Sequence, residues 1–284
     1  MSQSLKHIKN RIRSIENTKK VTNALQLISQ TKLNSIDDVL FASRRYFLKL
    51  ESTFNNFVNS AAGLSSPLFE ERAEKKKASL CLITSDSGLC GMYNNNIIRR
   101  AEEFISGRGK ERTRLVIVGK KGFNYFKNRG VRVTNTYLGL NGRYSAEIAD
   151  DISNSLVAGF LSGETDEAYL AYTRFETTLS HKPVIKKFLN IEVPPAPGIE
   201  YLLEPSKERV LEDLAPRYIA MSMKVALLEA FTSEHAARTI AMKTATENAE
   251  ELLENLILLR NKVRQANITQ DIMEIIASSE ALKG

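Results

Sequence analysis

The residues that could do chemistry in this sequence are few and poorly placed for it. The three histidines, His7, His181 and His235, lie far apart, and none falls in an H-E-x-x-H spacing, where two imidazoles one helical turn apart share a metal. Two cysteines, Cys81 and Cys90, are too few for a disulfide framework and have no metal-ligand spacing; they point to a reducing compartment. Asp150 and Asp151 are adjacent in a helical pattern, where neighbouring side chains diverge by about 100° and cannot work as a facing carboxylate pair. Gly88 and Gly91 follow a strand pattern, yet one glycine pair at this spacing is not a G-x-G-x-x-G dinucleotide turn. Gly119-Lys120-Lys121-Gly122 is too short for a P-loop and lacks the Lys-Ser/Thr ending that reaches phosphate and magnesium. Both read as tight strand-to-helix turns. No catalytic constellation, metal site or cofactor site emerges.

The elements around these turns read as an α/β head. Residues 78–85, 114–118, 131–138, 167–173 and 184–191 are short β-branched runs, and 94–106, 121–129 and 144–161 are helical stretches between them. Such alternation predicts a mostly parallel sheet with helices against it, and its glycine turns carry no nucleotide fingerprint. A linker, Pro194-Pro195-Ala196-Pro197-Gly198, closes the head, and Lys75-Lys76-Lys77, with no aromatic beside it, reads as solvated linker.

Glycine and proline mark what flanks the head. Of 14 Gly and 7 Pro, all but Gly284 lie between Gly63 and Pro216. Gly in a helix interior costs about 1 kcal/mol and Pro about 3 kcal/mol, so the two ends can run as long uninterrupted helices. The expected organisation is 1–62 as an N-terminal helix, 63–205 as the head with its linkers, and 206–284 as a C-terminal helix. Pro216 is expected at the first turn of the last helix or at a kink, with Ser206-Lys207-Glu208-Arg209 able to start helix before it. One helix enters the head and the other leaves it, so the pair is expected to form an antiparallel coiled coil.

Steps of three and four from Leu5 trace one seam through Ile8, Ile12, Ile15, Leu33, Ile36, Leu40, Phe47, Leu50, Phe54 and Phe57, polar at Lys19, Thr22, Gln26, Ser29 and Ser43. The polar stretch from Lys19 to Ser29 is expected to face partner subunits instead of the second helix, since Val21, Leu25, Leu27 and Ile28 lie off the seam there. In the last helix the same stepping runs from Ala245 through Ala249, Leu252, Leu256, Leu259, Val263, Ala266, Gln270 and Met273 to Ala277.

The net charge of +7 is uneven: residues 1–62 carry ten Lys/Arg against four Asp/Glu, and 217–284 carry eight against nine. A basic first helix can meet nucleic acid, anionic lipid or an acidic protein surface. No apolar run approaches the ~18 residues of a membrane span, and the N-terminus has the pattern of mature helix, not of a secretory signal. A coiled-coil scaffold or adaptor fits these features.

Three segments carry a resemblance that spacing alone does not supply. They are residues 8–22 (IKNRIRSIENTKKVT), residues 83–91 (ITSDSGLCG) with Asn94-Asn95-Asn96, and residues 233–246 (SEHAARTIAMKTAT) with 261–270 (NKVRQANITQ). In order and spacing they cover essentially the whole chain and resemble the gamma subunits of F-type ATP synthases. The resemblance implies a central shaft with a Rossmann-like α/β head, itself non-catalytic and without cofactor, its helices inside a hexamer of alternating alpha and beta subunits. It implies a 3:3:1 assembly with alpha and beta, an epsilon subunit and a membrane c-ring as further partners, and no nucleic acid. It also implies a peripheral place on the cytoplasmic face of a bacterial membrane. By motif match, Arg264, Gln265 and Thr269 correspond to positions that engage a loop of beta, and Leu25 and Arg238 to positions near its lever. The sequence departs from the family pattern at Asn23-Ala24-Leu25, at Ser29-Gln30-Thr31, at Ser87 in place of a common Arg, and at Met92-Tyr93. It lacks the cysteine-containing insertion of the chloroplast type. Calorimetric titration of the isolated chain with ATP or NAD is expected to show no tight binding; tight binding would contradict the reading of the glycine turns.

Overall fold

In a computed structural model, the structure describes residues 2–60, 66–69, 77–193, 204 and 206–281. The proline-rich linker and Lys75-Lys76 lie outside the described residues. The described chain runs as helix α1 (Ser2–Ser60), β1 (Ala78–Ile83), α2 (Tyr93–Arg108), β2 (Thr113–Val118), α3 (Lys120–Phe126), β3 (Arg132–Tyr137), α4 (Ala146–Leu161), β4 (Glu167–Phe175), β5 (His181–Leu189) and α5 (Lys207–Ala281). It divides into two compact units, residues 1–28 with 239–284, and residues 29–238.

The larger unit is an α/β layer structure. Its sheet has the order β3-β2-β1-β4-β5, parallel except where β5 returns antiparallel to β4. Every residue of β1 is buried, as expected of a central parallel strand covered on both faces. Alternate side chains feed two cores. Leu80, Leu82, Leu115 and Ile117 pack with Ile97, Ile98, Ala101 and Phe126 of α2 and α3. Cys81, Ile83, Val116 and Val118 point the other way, into a core shared with α4, with α1 residues such as Leu40 and Phe54, and with Met223, Leu227 and Phe231 of α5. Both cysteines are free and buried, and burial pushes the Cys81 thiol up to about 12.

Helix α5 begins at Lys207, where the Ser206 hydroxyl accepts from the Arg209 amide at 3.3 Å. Pro216 therefore sits inside the helix, not in its first turn. Its missing N–H removes one bond to the preceding turn. Nearby, Tyr218 stacks on Phe54 with ring centroids 4.5 Å apart, and Ala215 and Ile219 are buried, so packing holds the helix through the break.

The smaller unit pairs the two chain ends antiparallel. Lys19 Nζ lies 2.7 Å from Glu250 Oε1, and the Thr22 and Thr246 hydroxyls are 2.8 Å apart. This corrects the expectation that the polar stretch turns away from the second helix. Thr22 is 8% exposed, whereas Val21, Leu27 and Ile28 are 58, 60 and 55% exposed. The seam keeps its course and changes chemistry: hydroxyls and one ion pair replace apolar packing, and the aliphatic residues face out.

The seam of α5 is corrected at alternate positions. Ala249, Leu256, Val263 and Gln270 turn inward as expected, but Leu253, Arg260 and Asn267 are the shielded neighbours, where Leu252, Leu259 and Ala266 were expected. Leu252 and Leu259 are 48 and 45% exposed. A fixed step of three and four drifts off the inward face, and the pair half-buries Arg260 and Asn267 while leaving Leu252 and Leu259 outside. Oxidising a Thr22→Cys/Thr246→Cys variant is expected to form an intrachain disulfide, read as a mobility shift on non-reducing electrophoresis; no crosslink would contradict the polar pairing.

A buried joint as candidate functional site

In the larger unit, residues 225–236 of α5 are all buried. A helix enclosed on every side is normally apolar, yet this one carries Glu229, Thr232, Ser233, Glu234 and His235, with Arg238 just beyond. Each buried polar group needs a partner or costs about 1–3 kcal/mol. The partners come from almost every surrounding element.

Tyr93 of α2 donates its hydroxyl to the Ala230 carbonyl at 2.9 Å, and the Ser233 hydroxyl donates to the Thr173 carbonyl of β4 at 3.0 Å. Arg44 of α1 pairs with Glu229 Oε1 at 2.8 Å and donates a second bond to the Phe175 carbonyl. Burial nevertheless raises the Glu229 carboxyl, against the opposing pull of Arg44.

Arg238 is the most heavily engaged group. It donates from Nε to the Gly88 carbonyl at 3.2 Å and from Nη2 to Ser87 Oγ at 2.9 Å. The same nitrogen meets Glu234 Oε1, one turn back, at 2.8 Å. Nη1 lies 3.5 Å from His235 Nδ1, and His235 Nε2 lies 3.0 Å from the Gly142 carbonyl. The neutral Nε2–H tautomer serves both bonds, donating to Gly142 and accepting from Arg238. A side chain at position 142 has no room, since a Cβ there would lie 2.5 Å from His235 Nε2.

The loops that meet α5 follow β1 and β3, with the β2 turn beside them, at the carboxyl ends of the strands, where open parallel sheets hold ligands. Here the chain's own groups meet in that region. The Ser85 amide is fixed by Asn94 Oδ1 at 3.0 Å. Gly119, at φ 92°, passes so near β1 that a Cβ would lie 2.1 Å from the Thr84 carbonyl oxygen. Asp86 accepts backbone amides of Lys120, Gly139 and Asn141 at 3.0, 3.0 and 2.8 Å. Lys32 of α1 donates to the Asn141 carbonyl at 3.2 Å. The arrangement ties two long helices to the sheet.

Of the residues matched by motif, Arg238 lies in this joint, 7% exposed. The other four lie in the smaller unit, Leu25 half-buried and Arg264, Gln265 and Thr269 exposed. The sequence reading missed Asp86, Arg44, Glu229, Glu234 and His235. A signal was available: polar residues at 229, 232, 233, 234, 235 and 238 cannot share one solvent-facing side of a helix.

Comparison with known proteins places this architecture. The family model described as ATP synthase matches residues 4–282. The chain is 39% identical over 289 residues to the ATP synthase gamma chain of Anaeromyxobacter sp. (strain Fw109-5), covering 99% of each. It is 38% identical to that of Geotalea uraniireducens, again over 99% of each. Among solved structures, a chain of the Euglena gracilis mitochondrial ATP synthase (OSCP/F1/c-ring, rotational state 3) shares the fold at TM-score 0.72 and 18% identity, with 99% of this chain and 95% of that one covered. A chain from the central stalk/c-ring structure of the Tetrahymena thermophila enzyme matches at TM-score 0.59 and 20% identity, covering 79% of this chain and 99% of that one. Fold and buried joint together define a stalk-type protein, two long helices fastened to an α/β head. The chain belongs to the ATP synthase gamma-chain family, and its role is that of the central stalk; the non-rotary scaffold is not favoured.

The joint makes stability depend on pH. Burial, aided by the Arg238 and Lys32 charges, lowers His235 to about 4, although its bond to Gly142 pulls upward. The unfolded imidazole titrates near 6.5, so acid protonates the unfolded chain first: stability is retained above about pH 6.5 and falls toward pH 4, by roughly 3 kcal/mol for this residue. Glu229 and Glu234, raised by burial, oppose this, because the folded chain takes up their protons first. Urea denaturation of wild type and His235→Gln between pH 7 and 4 separates the two effects. The wild type is expected to lose roughly 3 kcal/mol relative to the variant; parallel pH dependences would contradict a neutral buried imidazole.

Proposed function

We propose that this chain is the rotating, non-catalytic axle through which ion flow in a membrane ring drives ATP synthesis or hydrolysis on an alpha/beta hexamer. Residues 1–62 and 206–284 act as the shaft and 63–205 as the head. Alpha and beta assemble with it 3:3:1, with epsilon and the c-ring as further partners, peripherally on the cytoplasmic face of a bacterial membrane. Among the described residues no helix is long and apolar enough to cross a membrane, so on this reading the complex supplies the membrane association.

The observation that best supports the reading, beside the full-length family match, is the outer surface of the helix pair. Scattered exposed apolar residues are ordinary, but grouped ones mark contact surfaces. Val21, Leu27 and Ile28 on α1, and Ile268, Ile272, Met273, Ile275 and Ile276 on α5, are each at least half exposed. Lys6, Lys9, Arg11, Arg13 and Lys20 are exposed around the start of α1, suited to acidic segments of beta. Leu25, Arg264, Gln265 and Thr269 complete the proposed beta contacts. Arg238 contributes through the loop it holds, whose Leu89 is 62% exposed.

The mechanism is differential binding. A partner can shift a site's conformational equilibrium only by preferring one state over another. An asymmetric axle presents a different face to each of three beta subunits and so favours a different state in each. Moving a site from 1:99 to 99:1 takes about 5.5 kcal/mol of preference, within reach of a few charge pairs and packed side chains.

Purification from membranes is expected to yield the chain with alpha and beta at 3:3:1; recovery only as a homodimer would contradict the proposal. In that complex, Arg264→Ala is expected to lower ATP synthesis several-fold with little change in melting temperature. Unchanged synthesis with a clear loss of melting temperature would count against a partner contact at Arg264.

A further inference from the structure

Asp86 stands where three constraints meet. Its Oδ1 accepts the amides of Lys120 and Gly139 at 3.0 Å each, and its Oδ2 accepts that of Asn141 at 2.8 Å. The loop it captures has an unusual backbone: Gly139 and Gly142 are at φ 86° and 68°, and Asn141, a non-glycine residue, is at φ 51°. Such conformations persist only where the surroundings over-determine them. A carboxylate accepting several backbone amides is a strong, charge-assisted anchor.

The captured loop is the one that grips both long helices. The Asn141 carbonyl accepts from Lys32 of α1 at 3.2 Å, and the Gly142 carbonyl pairs with His235 Nε2 of α5 at 3.0 Å. On the other side, Ser87 and Gly88, the two residues directly after Asp86, take the Arg238 guanidinium. One carboxylate thus lies between two separate grips on α5.

We propose that Asp86 is the positioning residue that shapes the head's grip on α5, fixing the 139–142 loop for His235 and Lys32 and the 87–88 segment for Arg238. The role belongs to the folded chain itself and does not rest on rotation. It goes beyond strand-end stabilisation because it names what the carboxylate controls: the surroundings of one helix side chain remote in sequence.

His235 supplies a readout that a general loss of stability does not move. Its ring faces Arg238 and Glu234 on its own helix, Lys32 from α1 and the Gly142 carbonyl from the loop. If the loop relaxes when Asp86 is removed, water reaches the imidazole and its titration midpoint climbs from about 4 toward the ordinary histidine value of about 6.5.

The experiment is a ring-nitrogen NMR titration of the full-length chain, the His235 signal being assigned by its loss in His235→Gln. Asp86→Ala is expected to raise the His235 midpoint by about one pH unit or more, and Asp86→Asn, which keeps one oxygen acceptor, by less. Ile98→Ala, in the core on the opposite face of the sheet, is expected to lower the melting temperature and leave His235 unmoved. An unchanged midpoint in Asp86→Ala, or an equal rise in Ile98→Ala, overturns the proposal. Should Asp86→Ala fail to fold, Asp86→Asn decides alone: a rise supports the proposal, and wild-type titration overturns it.

Discussion

The structure depends on holding a charged, polar stretch of helix inside a protein core by pairing it with groups on the surrounding elements. Around Glu234, His235 and Arg238 the α5 backbone satisfies its own amides and carbonyls, but the side chains depend on neighbours. An apolar helix could have been enclosed at less desolvation cost. It would also have been free to turn or slip, because hydrophobic packing is non-directional. Hydrogen bonds to Ser87, Gly88, Gly142 and Thr173 fix both the height and the rotation of α5 against the sheet. On the proposed role as an axle, rotational register is the property that matters.

The same constraint explains the quiet strand ends. The carboxyl ends of β1, β2 and β3 would ordinarily offer backbone amides to a phosphate. Here Asp86 accepts three of them and Arg238 reaches the neighbouring carbonyls. Glycine is needed at 119 and 142 because the end of β1 and His235 leave no space for a side chain. Ser87, where the family commonly has arginine, accepts from Arg238; a second cation there would face the first.

Much of the architecture could be read from the chain. Missing Gly and Pro marked both long helices, and β-branched runs with intervening helical patterns gave the strands and a mostly parallel sheet, though not the strand order. Periodicity served α1 well, because large aliphatic and aromatic residues at Leu33, Leu40, Phe47 and Phe54 leave one choice of buried face. It served α5 less well. From 249 onward leucines occupy adjacent positions, and the face that turns inward includes Arg260 and Asn267, which a hydrophobic stepping rule cannot select. The polar stretch at Lys19–Thr22 misled for the same reason: pairing of like polar groups across a seam, Thr22 with Thr246, has no apolar signature. The joint was hardest to see, since its bonds run from α5 to residues 60 to 185 positions away. Only the crowding of polar types around 229–238 hinted at it.

On the proposed role, head and helices turn together as one axle. The direct measurement is to attach a bead to the head of the assembled, surface-fixed complex through Leu179→Cys, a hairpin position 83% exposed, and to watch it while ATP is supplied. The account predicts sustained rotation in one direction, stopping when ATP is removed. A bead that only jitters about a fixed angle while the same complexes hydrolyse ATP would contradict it.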